Sequence, residues 1–156
     1  MVDASFARLA YDAALAGLEK QEHVLDELRS RTGLLLAASS LSASFLGPTA
    51  LDHGQPMLLA GALAAFAVSI GGSIYVLVPR SAFTFSVFGS TMYEELFEFR
   101  DDLDEVYRRL AYDLDGFWEA NDAAMQPLFS WFRRAAVALG AEVILLFGAV
   151  SDTLVW

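Results

Sequence analysis

Charge is absent or sparse in three long stretches of this chain and dense between them, and that alternation predicts helices of two kinds. The longest uncharged run lies between His53 and Arg80, with "MLLAGALAAFAVSIGGSIYVLV" (57–78) at its centre. Its 22 residues match the ~20 that a helix needs to cross a hydrocarbon core, and Tyr75 and Arg80 suit an interface. A second uncharged run covers 32–51, and Gly47-Pro48 is expected to break its helix ahead of a short loop ending Gly54-Gln55-Pro56. Two such helices joined so closely predict a membrane hairpin. Serines at 39, 40, 42 and 44 allow close helix approach, and Ala60, Gly61, Ala64 and Ala65 give the second helix a matching small face. The third stretch, "AAVALGAEVILLFGAVSDTLVW" (135–156), follows the anchors Trp131-Phe132-Arg133-Arg134 and carries Glu142 inside it and Asp152 near its end.

The charged stretches show amphipathic spacing instead. Residues 3–31 predict one helix in which Ala7, Tyr11, Ala14, Leu18, Gln21, Leu25 and Leu28 follow at steps of four and three. This seam packs either on another helix of the same chain or on another copy, with Gln21 as a polar interruption able to fix register. Phe83, Phe85 and Val87 alternate in "RSAFTFSVFGS" (80–90), an extended piece or an aromatic belt. Thr91-Met92-Tyr93-Glu94 has the form of a capping box that starts a helix. Met92, Leu96, Phe99, Leu103, Val106 and Leu110 continue the spacing, Asp113 interrupts it, and Phe117, Ala120 and Ala124 resume it. A kink is expected at Asn121-Asp122 or Gln126-Pro127, since proline breaks an interior turn.

Composition supports the membrane reading. The hydrophobic fraction is 56%, above the ~45–50% of soluble domains. Four Lys/Arg precede the first apolar run and six lie from Arg80 to Arg134, while 48–56 has none. The positive-inside rule then puts the N-terminus and the central segment in the cytoplasm of a multi-pass inner-membrane protein. The N-terminus shows no basic region followed by an apolar one, so no cleavable signal is expected. A net charge of −10 argues against duplex nucleic acid as a partner. Without cysteine there is no disulfide framework or thiolate site.

The expected class is an all-α integral membrane protein with three transmembrane helices, cytoplasmic amphipathic helices and a homo-oligomeric state. Its parts are a cytoplasmic N-terminal helix (1–31), a transmembrane hairpin (32–79), a cytoplasmic helical segment (80–134) and a C-terminal transmembrane helix (135–156). No G-x-S-x-G, H-E-x-x-H, glycine-rich phosphate loop or Cys/His cluster occurs, so neither an enzyme nor a bound cofactor or metal is expected. The acidic run Asp101, Asp102, Asp104 and Glu105 spreads around a helix and has Arg100, Arg108 and Arg109 nearby, which reads as a solvated face.

Two groups of residues carry candidate chemistry. A carboxylate at membrane depth costs about 2.5–3.5 kcal/mol, so Glu142 must be neutral, paired or facing a water path. It is either a carboxyl bonded to a neighbouring helix or a pore-lining, gating group, with Ser39, Ser40 and Ser44 near the same path. Arg108, Arg109, Tyr112 and Trp118, beside Tyr107, combine guanidinium groups for phosphate with rings for a base. The same composition also suits packing and interfacial anchoring.

The strings "LDELRSRTGLLLAASSLSASFLG", "YVLVPR", "FTFS" and "EVYRRLAYDLDGFWEAN", ahead of a last apolar helix, resemble the SLATT-type membrane effectors. That group includes the transmembrane effectors of Pycsar and related nucleotide-signalling antiphage systems. The resemblance covers most of the chain and rests on the order of parts. It implies a membrane-disrupting or pore-forming protein controlled by a nucleotide made by a partner cyclase or nucleotidyltransferase. There is no separate ligand domain, so the nucleotide would bind within 80–134 or between copies. A membrane-anchored module that recruits a soluble protein is the alternative, and a soluble bundle with a very apolar core is the third reading.

Overall fold

The computed structural model describes residues 5–53, 55–86 and 89–151, the side chains of residues 53, 91 and 92 excepted. The described residues form four helices, α1 (Phe6–His53), α2 (Pro56–Leu77), α3 (Gly89–Leu96) and α4 (Leu103–Ser151), with a 3-10 turn at Phe97–Phe99. No strand occurs among the described residues. α1, α2 and α4 are each long and apolar enough to cross a membrane, as expected for a multi-pass membrane protein.

By contacts the chain divides into two units. A charged unit takes α1 up to Asp26 together with Arg80–Gln126. An apolar unit takes Glu27–Pro79 and the chain from Pro127 onward.

The expected break at Gly47-Pro48 does not occur. α1 runs through Pro48 and α4 through Pro127. An interior proline forfeits one hydrogen bond and crowds the carbonyl four residues back, at ~3 kcal/mol or more. Ending a helix in an apolar setting would leave four carbonyls without donors, which costs more. The helix therefore continues. α2 starts where its sequence allows, with Pro56 in the first turn, where no N–H is needed.

In the charged unit, α1 and α4 run parallel. The Tyr11 and Tyr107 rings lie 5.6 Å apart, and Gln21 Nε2 donates to the Trp118 carbonyl at 3.0 Å. The α1 seam thus packs within its own chain, with Leu18, Gln21 and Leu25 buried. Beyond Leu110 the observed seam of α4 differs from the expected one. Leu114, Asn121 and Met125 are buried, whereas Ala120 is exposed. The step from Leu110 to Asn121 is eleven residues, close to three full turns, so the inward stripe keeps its face without strict heptads.

Asn121 is polar and lies off the expected seam, yet it is 1% exposed. Its Nδ2 donates to the Thr84 carbonyl at 2.8 Å and its Oδ1 accepts the Thr84 N–H at 3.1 Å. The side-chain amide thereby clamps the non-helical segment after α2, leaving Phe83 and Phe85 to stack with centroids 6.0 Å apart. Val87, on the same expected alternation, lies outside the described residues. Asn121→Ala is expected to cost about 1–3 kcal/mol by stranding both Thr84 groups. Hydrogen exchange should show the Thr84 amide losing protection while the α4 amides keep theirs.

α4 begins later than the sequence suggests. The Thr91 and Met92 side chains of the expected capping box lie outside the described residues, but α3 is already helical from Gly89 and stops at Leu96. The cap of the long helix is Asp102, whose Oδ1 accepts the Glu105 N–H at 3.2 Å. Asp104 and Glu105 then fill the first turn, where negative charge opposes the helix dipole.

In the apolar unit, α2 packs against α4 through small residues. Ala62, Ser69, Gly72, Ser73 and Val76 are its buried positions, while Ala60 and Ala64 of the expected small face are exposed. A Cβ on Gly72 would meet the Ala135 Cβ at 3.1 Å, so the two helices touch there. Ala50, Ala62, Leu146 and Ala149 form a core joining α1, α2 and α4. Tyr75 and Trp131 rings lie 5.4 Å apart with Arg134 over Trp131, a cluster that suits a membrane interface. Leu34, Phe45 and Ile144 are 71–75% exposed, a surface that suits lipid and not a dry soluble core.

Candidate functional site

Glu142 stands on the buried stripe of α4, seven residues after Ala135 and four before Leu146. It is 0% exposed, and no other acidic side chain is buried among the described residues. The Ser39 hydroxyl of α1 donates to Glu142 Oε2 at 2.5 Å. Glu142 Oε1 is buried with no hydrogen-bond partner. Ser39 lies two turns beyond Thr32 on the same buried stripe of α1.

Beside the pair lies a cavity of about 400 Å³ whose wall includes Ser44, Gly47 and Pro48 of α1, Ala62 and Phe66 of α2, and Glu142 of α4. Ser39, Ser44 and Glu142 are therefore brought together. Ser40 is not: its hydroxyl donates to the Leu36 carbonyl on an exposed face. Pro48 has no N–H to offer the Ser44 carbonyl, so that oxygen lacks its usual helical donor.

The basic and aromatic candidates are more dispersed. Arg108 and Arg109 hold one carboxylate between them, with Arg108 Nη2 2.6 Å and Arg109 Nε 2.8 Å from the two oxygens of Glu105. Arg109 also lies 3.9 Å over the Phe99 ring. Arg108 and Tyr112, one turn apart, line a shallow hollow with Phe6 and Ala10, and Tyr112 is 70% exposed. Trp118 stands apart from them, its ring against Gly17. The structure thus pairs Arg108 with Tyr112, turns Arg109 onto Phe99, and leaves Trp118 separate.

Hydrogen bonds from Arg108 and then Arg109 hold the Glu105 carboxyl below its ordinary value of 4.5. A lowered carboxylate stabilises the fold above its unfolded value and loses that contribution as pH falls through the folded one. We expect the Glu105 side chain to titrate below pH 4.5 in NMR, with Arg108 and Arg109 released together on acidification. An ordinary midpoint would show that the fork does not persist in solution.

Among the described residues, no three His, Asp or Glu side chains gather as a metal site. The acidic run divides its work between the Asp102 cap and the Glu105 fork. Comparison with models of known families, with curated proteins and with solved structures gives no match for this chain.

The residue pattern marks Asn121 only as a kink position and Asp102 only as part of an acidic run, and it does not single out Gly72. Asp102-x-x-Glu105 is itself a capping signature, and reading it as such ahead of an apolar stripe would have found the start of α4.

Proposed function

We propose that this chain is a multi-pass effector of the bacterial inner membrane whose assembled copies conduct ions, with the N-terminus and the charged unit in the cytoplasm. The observation that supports this most is Glu142, a carboxyl buried among apolar helices with one oxygen unpartnered. Carboxyls at membrane depth are costly, and they commonly mark ion or proton paths. Three long helices do not enclose a water path alone, so conduction requires a homo-oligomer that brings several Glu142 layers together.

Control by a nucleotide from a partner cyclase or nucleotidyltransferase, in antiphage defence, follows from the resemblance to SLATT-type effectors. Its phosphate would compete with Glu105 for Arg108 and Arg109, and Tyr112 is exposed beside Arg108 to take the base. Ion flux from liposomes with a panel of cyclic and linear nucleotides tests the reading. A nucleotide that switches flux, and at least a tenfold lower flux in Glu142→Gln, is the expected result. Absence of flux under every condition would overturn it.

The second reading is an anchored module that recruits a soluble protein. It is favoured by a hollow on the charged unit lined by Tyr93, Leu96, Phe97, Leu103 and Val106, with Arg100 at its edge. Exposed apolar side chains flanked by a cation suit a protein partner.

A further inference from the structure

The cavity beside Glu142 has chemistry that ion conduction does not need. Its volume, about 400 Å³, is in the range of small-molecule sites. Almost all of its wall is apolar, from Ala43, Leu51, Leu59, Leu63, Phe66 and Leu146. The polar residues in the wall are Glu142, whose Oε1 is buried without a partner, and Ser44, whose hydroxyl both accepts and donates. Among the described residues no Lys, Arg, His, Asn or Gln lines it.

An apolar chamber whose fixed polar groups accept hydrogen bonds selects a ligand with an apolar body and a positively charged donor head. We propose that the cavity binds a single-chain lipophilic amine entering from the lipid phase, its ammonium on Glu142 Oε1 and the Ser44 hydroxyl and its chain against Phe66, Leu63 and Leu146. An ammonium supplies three donors and no acceptor, which fits this wall. A fatty acid would set carboxylate against carboxylate. A fatty alcohol would fill the same apolar space without matching the charge. The proposal needs no conduction, so it stands or falls separately from the channel reading.

The test is photolabelling of the full-length protein in vesicles of phosphatidylcholine and phosphatidylglycerol, with a diazirine-bearing dodecylamine as probe. Labelled positions are read by mass spectrometry. Saturable labelling confined to residues 43–51, 59–66 and 142–146 is expected, suppressed at least tenfold by unlabelled dodecylamine and little by dodecanol or dodecanoate. Glu142→Gln should lower it at least tenfold.

Gly47→Leu guards against a folding artefact. A Cβ there meets nothing within 4 Å, and leucine favours the helix over glycine. The added side chain should occupy the chamber and abolish labelling while Glu142 remains. Equal competition by dodecanol would reduce the site to an acyl-chain groove and overturn the proposal. So would labelling that survives either substitution, or suppression by added phosphatidylethanolamine, which would assign the site to a lipid headgroup.

Discussion

Gly72→Leu is expected to unfold the apolar unit far more readily than any comparable change on α2. Even a methyl group at Gly72 would stand 3.1 Å from the Ala135 Cβ, 3.4 Å from the Trp131 carbonyl and 3.6 Å from its ring. Two of these belong to backbone or to a short side chain, which have no alternative rotamer. A leucine must push α2 and α4 apart, and overpacking of this kind costs about 1–3 kcal/mol, occasionally more. The separation would spread to Ser69, Ser73 and Val76, which share the buried face.

Gly71→Leu is the control. It is exposed, and a Cβ there meets nothing within 4 Å. Denaturation of the detergent-solubilised protein should show a large loss for Gly72→Leu and little change for Gly71→Leu. Equal midpoints would mean that α2 and α4 do not touch at this level.

The second large effect concerns the Ser39–Glu142 pair and is a matter of sign. Ser39→Ala removes the donor to Oε2 and leaves both oxygens of Glu142 buried without a partner. Stranding a buried polar group costs about 1–3 kcal/mol, more for a charged one. Glu142→Leu in the Ser39→Ala background should restore that loss, because replacing both partners by apolar groups is often neutral or stabilising. Glu142→Leu should at the same time abolish flux, separating the carboxyl's contribution to function from its contribution to stability. Denaturation of the two single variants and the double variant closes the cycle. Additive losses would show that the two side chains are not coupled.

The same pair shows where reading the chain from its residues stops. Glu142 was recognisable as exceptional because a carboxyl in an apolar run is anomalous wherever the run ends up. Its partner was not, because four serines fall between 39 and 44 and nothing local separates them. Only the parallel register of α1 and α4 puts Ser39 against Glu142, turns Ser40 outward to the Leu36 carbonyl and sets Ser44 in the cavity wall. Arg108 and Arg109 were likewise legible as cations near rings. That both are held by Glu105, and that Trp118 stands apart, depends on side-chain directions around α4.

Three long apolar helices, and the inward stripe of α1 from Leu18 to Leu28, were determined by the sequence alone. Length, hydropathy and the 3.6-residue period are local properties that no distant contact has to supply. Tertiary structure decided which of two adjacent glycines is essential, since Gly71 and Gly72 differ only in the face they present. It decided that Asn121 is a core position, because an amide is buried only where a backbone such as that of Thr84 satisfies it. It also carried α1 through Pro48, where propensity favoured a stop. In an apolar environment the groups at a helix end have no water to bond, and one lost hydrogen bond costs less than four.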